Sequence, residues 1–203
     1  LQHYKNAIDV LINIQSLETD SANIPSYDAA LLTTEMQLLI DWYLPTLSDD
    51  QRIQLQSTFN LLSDNALNSK QIFVHRDYHS RNLMMLANDE LGVIDFQDAV
   101  IGSNTYDLTS LLKDAYFELD SAVLHTLLHY YYDQANIQIP FLNFEKQFDL
   151  MGLQRHLKVL GIFKRLSIRD GKHQYLDDIP LVKKYALQMA DKYSEFSFLK
   201  DIL

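Results

Sequence analysis

Residues 72–98 constrain the fold of this chain more than any other segment. On either side, apolar residues recur at helical spacing. Here Ile72-Phe73-Val74, residues 83–86 and residues 91–94 are short apolar runs separated by polar loops. Runs of this length cannot bury a helical face, and they read as one small β element inside a helical chain. Any fold must therefore hold two polar loops at the ends of short strands.

Those loops carry unusual chemistry. The first reads His75-Arg76-Asp77-Tyr78-His79-Ser80-Arg81-Asn82, with an aspartate and an asparagine five residues apart. The second, Gly92-Val93-Ile94-Asp95-Phe96-Gln97-Asp98, ends an apolar run in an aspartate thirteen residues beyond Asn82. An aspartate and an asparagine on one polar loop are, alone, ordinary turn formers. The conjunction of loop, strand and Asp-Phe turn says more. Phosphoryl transfer needs a base facing the acceptor hydroxyl and oxygen donors that hold Mg²⁺ on nucleotide phosphates. Kinase-like sites supply these with a His-x-Asp-x-x-x-x-Asn loop and a nearby Asp-Phe-Gly-like turn. On this reading Asp77 is the catalytic residue, aligning the acceptor hydroxyl and taking up its proton as transfer proceeds. Asn82 offers a neutral amide oxygen and Asp95 a carboxylate, both hard ligands for Mg²⁺. His75 supports the loop's shape. Arg76 and Arg81 flank it, either steadying phosphate charge or pairing with surface carboxylates.

The rest of the pattern is helical. Tyr4, Ala7, Ile8, Leu11 and Ile12 mark a first amphipathic helix. After a Pro25-Ser26 turn, Leu32, Met36, Leu39, Ile40 and Tyr43 mark a second, stopped by Pro45. Ser48-Asp49-Asp50 caps a third helix predicted to run to about Asn68. Asp107 reads as the N-cap of the next, which carries Leu108, Leu111, Leu112 and Ala115. Helical spacing then recurs over residues 123–132, 144–166 and 181–196. The fold class is α+β, mainly α-helical, with the chemistry on the small β element.

Composition narrows the function. A net charge of −10 over 203 residues leaves no basic field for nucleic acid or an anionic membrane. The absence of cysteine removes disulfides, zinc–thiolate sites and thiol nucleophiles. No apolar run is long enough to span a bilayer. The expected compartment is the cytoplasm.

Taken together, these motifs resemble the aminoglycoside phosphotransferase and choline kinase group, which shares the protein-kinase-like fold. The resemblance extends over the whole chain, but only to the C-terminal lobe of that fold, so residues 1–203 are expected to form one kinase-like C-terminal lobe. Four stretches narrow it further. Val74 to Tyr78, Gly92 to Ala99, Thr105-Tyr106-Asp107-Leu108 and Gly152 to Gly161 resemble bacterial kinases that phosphorylate the anomeric hydroxyl of N-acetylmuramate and N-acetylglucosamine in cell-wall recycling. The resemblance implies ATP as co-substrate, Mg²⁺, catalysis by Asp77, metal ligation by Asn82 and Asp95, and an Asp107 that braces the catalytic loop. Aminoglycoside or choline kinases are the neighbouring alternative, and a non-catalytic binding module is the alternative of another class.

Two departures stand out. Gln97 occupies the position of the glycine in Asp-Phe-Gly, which disfavours the backbone switching of protein kinases. Kinases also cover ATP with a Gly-rich loop and anchor its phosphates with a strand lysine. The first glycine here is Gly92, beyond the catalytic loop. The expectation is therefore a lobe of a longer kinase, inactive alone, whose N-terminal nucleotide-clamping lobe is normally covalently attached.

Substrate contacts are less tightly specified. Arg155, His156 and Lys158 cluster on one helical segment and would suit an anionic or neutral sugar better than a polycation. The alternative is a solvated helix face. Trp42 offers a platform for a sugar's apolar face or a core side chain. Asp98 either contacts the acceptor or the metal, or simply ends the metal-binding turn. His125 and His129, in a leucine-rich helical pattern, fit core and surface roles better than metal binding.

Overall fold

The computed structural model describes residues 1–19, 23–87 and 90–203, which form two compact units. No helix among them is long and apolar enough to cross a membrane.

The first unit comprises residues 1–27 and 69–148. Its opening helix α1 (Gln2–Gln15) buries Ala7, Ile8 and Leu11, the apolar stripe read from the sequence. These residues pack with Tyr78, Leu108, Leu111, Leu112, Leu127 and Phe144 in one core. Strand β1 (Gln71–Val74) ends on the buried Val74 and delivers the chain into the His75 loop. A short 3-10 turn (Ser80–Asn82) follows, then β2 (Leu83–Met85), β3 (Leu91–Val93) and β4 (Val100–Ser103).

The single small sheet expected from the sequence is in fact two separate antiparallel pairs. Strands β2 and β3 form a hairpin with Leu83 opposite Val93 and Met85 opposite Leu91. Strand β1 pairs instead with β4, Val74 opposite Val100 and Gln71 opposite Ser103. β4 escaped the sequence reading because Gly102 and Ser103 break its apolar run and its partner lies far upstream. Its outer side is covered by residues 25–27, through Ile101 N–H to the Pro25 carbonyl and Tyr27 N–H to the Ile101 carbonyl, both 2.8 Å. Gly102 makes room for that cover: a Cβ there would lie 3.1 Å from the Tyr27 Cβ.

Helix α4 (Tyr106–Leu112) is buried throughout. Its N-cap is Thr105, and the expected cap Asp107 lies inside the first turn. From there the Asp107 carboxylate reaches the neighbouring loop. Helix α5 (Ser121–Gln134) is capped by Asp120, which accepts from Ala122 and Val123. Helix α6 (Phe141–Asp170) contributes its first turns here.

The second unit comprises residues 28–68 and 149–203. Asp28 caps α2 (Ala29–Leu38), accepting from Leu31 N–H at 2.8 Å. Ser48 and Gln51 form a reciprocal capping box on α3 (Asp49–Asn68). The second helix, expected to continue regularly to Tyr43, loosens into a π-helical turn over Leu39–Tyr43, closed by Leu44 N–H on the Leu39 carbonyl at 2.8 Å. The change sits where α6 crosses at backbone distance. A Cβ on Gly161 would fall 2.3 Å from the Leu38 carbonyl carbon and 2.6 Å from Leu39 N. Helix α7 (Ile179–Lys192) starts on Pro180 in its first turn, and a short α8 (Leu199–Ile202) ends the chain.

Candidate active site

Both chemistry-bearing loops leave the first unit's strands at defined points. The β2–β3 register pairs Leu83 with Val93, and Ile94 N–H then donates to the Asn82 carbonyl at 3.2 Å. Asn82 lies one residue before Leu83 and Asp95 two residues after Val93, so both stand at the open end of the hairpin. Thirteen residues of sequence separation collapse to a side-chain approach of 3.5 Å between Asn82 Nδ2 and Asp95 Oδ2. The same amide nitrogen donates to the Asp77 carbonyl at 3.0 Å. Asn82 thus links the main chain of Asp77 to the carboxylate of Asp95, and the structure brings these three expected residues into one locus.

The loop's start is fixed from beneath. Asp107, fully buried, accepts His75 N–H at Oδ2 (2.7 Å) and Arg76 N–H at Oδ1 (3.0 Å). These bonds hold a strained backbone: Arg76 has φ 74°, in the left-handed region that non-glycine residues rarely adopt. Asp95 has φ 72°. The two strained residues flank the cluster, one immediately before Asp77 and the other the carboxylate itself. Backbone strain of this kind is held only where the surroundings over-determine it.

His75 is buried, and its Nδ1 accepts from Asp77 N–H at 3.3 Å, which makes Nε2 the protonated nitrogen of the neutral ring. Burial lowers its pKa, against the opposing pull of the Asp77 carboxylate, the Ile94 carbonyl and Asp95. Tyr78 anchors the loop to α1, its hydroxyl donating to the Ala7 carbonyl at 2.8 Å. Arg76 donates from Nη1 to the Asp98 carbonyl at 3.2 Å, tying the first loop to the second, with its guanidinium over the Tyr27 ring. Asp98 itself is exposed, as is Asp95, whose Oδ1 accepts from Gln97 at 3.0 Å.

The other four expected residues belong to the second unit. Trp42 is partly exposed in the π-helical turn. Arg155 and Lys158 are 4% and 8% exposed, which excludes the solvated helix face considered for them. Lys158 pairs with Glu35 at 2.9 Å, a compensation that a buried ammonium requires. His156 stacks on the Tyr185 ring at 4.9 Å.

Sequence reasoning missed Asp114. It is 1% exposed, and its Oδ2 accepts Ser80 N–H at 2.9 Å at the far end of the loop. The available signal was an aspartate inside the apolar stretch Leu111-Leu112-Lys113-Asp114-Ala115-Tyr116-Phe117.

The donor set suits a nucleotide-bound Mg²⁺. One carboxylate and one side-chain amide, 3.5 Å apart at the hairpin end, match an ion that takes few protein oxygens and completes its shell with phosphates and water. Among the described residues there is no cluster of three or more His, Cys, Asp or Glu that would hold a metal as an all-protein cage.

The sequence profile of the phosphotransferase enzyme family matches residues 1–138, a span that contains every element of this cluster. The chain belongs to that family. Among its members, the N-acetylmuramate/N-acetylglucosamine kinase of Pseudomonas putida is 41% identical over 98% of this chain and 61% of its own length. The enzyme of the same name from Neisseria meningitidis is 36% identical over 97% of the chain and 61% of its own length. The chain thus spans about three-fifths of the curated relatives it matches. Two solved structures share the phosphotransferase fold. Choline kinase LicA from Streptococcus pneumoniae superposes with a TM-score of 0.65 at 15% identity, over 92% of this chain and 64% of that one. The GDP complex of aminoglycoside 2'-phosphotransferase-IIIa superposes with a TM-score of 0.60 at 16% identity, over 92% and 62%.

Proposed function

We propose that this chain is the C-terminal lobe of an ATP-dependent kinase that phosphorylates the anomeric hydroxyl of N-acetylmuramate or N-acetylglucosamine, in the cytoplasm, in recycling of cell-wall fragments. The observation that carries the reading is the Asn82 amide, which joins the Asp77 loop to the Asp95 carboxylate. The names of the relatives and their identity over almost the whole chain support the sugar as substrate.

In this reading Asp77 orients the acceptor hydroxyl. As the bond from the hydroxyl oxygen to the γ-phosphorus forms and the bond to the bridging oxygen of ADP breaks, the hydroxyl proton passes to the Asp77 carboxylate. Asn82 and Asp95 would hold Mg²⁺, which neutralises charge on the phosphates when bound. Asp107 and His75 keep the Asp77 backbone in its strained turn. Asp98 stands at the open face, where it would meet the acceptor. Arg155, His156, Lys158 and Trp42 are kept as candidate sugar contacts of the second unit.

A further lobe that clamps the nucleotide completes the proposal. It is supported by the span of the relatives and by an exposed apolar row on the hairpin and its following turn. Met84, Met85, Leu86, Ile94 and Phe96 are all between 47% and 65% exposed, a surface suited to a covering partner or a nucleobase.

Phosphate transfer from ATP by the full-length kinase tests the reading across free N-acetylmuramate, N-acetylglucosamine, aminoglycosides and choline. Turnover on the two sugars is expected. Preference for aminoglycosides or choline would replace the substrate, and inactivity on every acceptor would favour a non-catalytic module.

A further inference from the structure

We infer that Asp114 is a positioning residue for Asn82, and that α4 grips the catalytic loop at both ends. Asp107 in its first turn holds the loop's start, and Asp114, two residues past its end, holds the loop's finish. The inference rests on the role proposed above for Asn82.

The 3-10 turn Ser80–Asn82 is only three residues long. Its first N–H has no partner inside the turn, and a helical end of this kind needs an outside acceptor. Asp114 Oδ2 supplies it at 2.9 Å. Asp114 Oδ1 accepts the N–H of Tyr116 at 3.0 Å, so both carboxylate oxygens of this buried side chain are engaged. That second bond folds residues 114–116 so that the Tyr116 ring reaches the same loop. The Arg81 guanidinium lies 3.5 Å from the ring centroid, and the His79 ring meets it edge-on at 5.3 Å. The three residues preceding Asn82 are thus each held by residues 114–116. The Asn82 backbone N–H donates to the His79 carbonyl at 2.9 Å, so a shift in residues 79–81 passes to the main chain that carries the Asn82 side-chain amide. Asp114 acts on Asn82 only through Ser80 and its neighbours.

Two variants of the full-length kinase separate this role from general stability. Asp114→Ala removes the acceptor. Ser80→Pro removes the donor and leaves Asp114 in place. His79 has φ −122° and ψ 169°, the extended backbone that a following proline requires, and proline suits the first position of a helical turn. The first readout, independent of activity, is hydrogen exchange at the Asn82 amide by NMR. It should accelerate at least about tenfold in both variants, the order expected from losing a hydrogen bond to a charged group. The second is turnover against Mg²⁺ concentration: the half-saturating Mg²⁺ should rise about tenfold while the KM for sugar stays within about twofold.

Unchanged Asn82 exchange in both variants overturns the inference. So does a parallel rise in sugar KM and Mg²⁺ requirement, which would indicate general loosening. Should the parent phosphorylate no acceptor, the proposed function fails, while the exchange data still decide the role of Asp114.

Discussion

Asp107→Ala tests most sharply whether the fold, rather than the loop itself, holds Asp77. The carboxylate is fully buried and accepts two backbone N–H groups, at 2.7 and 3.0 Å. Hydrogen bonds to a charged group contribute roughly 1.5–3 kcal/mol each, so losing both removes roughly 3–6 kcal/mol. Relief from burying the charge offsets part of this, leaving a net loss of about 3 kcal/mol. For a chain of this size the midpoint of thermal unfolding should then fall by roughly 6–12 °C. Function should suffer more than stability. Arg76 is held at φ 74° by one of the two bonds, and such a conformation costs about 1–3 kcal/mol when nothing enforces it. Once released, Arg76 relaxes and carries the adjoining Asp77 with it. A displacement of about 1 Å at a reacting group costs on the order of a hundredfold in rate. Circular dichroism melts of this chain and steady-state kinetics of the full-length kinase measure the two effects. A variant melting within about 2 °C of the parent, with normal kcat, would refute the bracing argument.

Three further outcomes are expected. Asp77→Asn should lower kcat by about a hundredfold to ten-thousandfold while leaving the melting curve nearly in place; retention of both kcat and fold removes Asp77 from the chemistry. Gly161→Ala opposes two effects, a helix-propensity gain of about 1 kcal/mol and a Cβ placed 2.3 Å from the Leu38 carbonyl carbon. Overpacking, at about 3 kcal/mol or more, should win in urea unfolding, and a stabilised variant would contradict the close crossing. His75 has a pKa lowered by burial from the ordinary 6.5, so the unfolded chain binds its proton more readily and stability rises with pH. Its contribution is complete above about 6.5 and is lost as pH falls through the lowered native value. The drop in melting temperature between about pH 7.5 and about pH 5 should therefore be smaller in His75→Gln than in the parent; equal drops would exclude a buried neutral imidazole.

The juxtaposition of Asp77, Asn82 and Asp95 was legible. Their spacing on two loops at the ends of short strands drew them together on paper, and the β2–β3 register shows how Asn82 and Asp95 meet. The amphipathic α1 and the capped start of α3 were legible for local reasons, since spacing and caps act within a few residues. What escaped depends on distant partners. β4 is defined by its pairing with β1 rather than by its own sequence. The π-helical turn answers to Gly161, more than a hundred residues downstream. Lys158 was open to a sugar contact or a solvated face because its ion-pair partner Glu35 lies more than a hundred residues upstream. Asp114 serves backbone N–H groups, a role that leaves no motif of its own.

The most direct test of one shared phosphoryl-transfer site is a crystal structure of the full-length protein with Mn²⁺ and a non-hydrolysable ATP analogue, the ion located by anomalous scattering. The ion should lie between the Asn82 amide oxygen and an Asp95 carboxylate oxygen, about 2.1 Å from each, with the Asp77 carboxylate facing the γ-phosphate from the acceptor side. An ion bound away from both Asn82 and Asp95 would contradict the account.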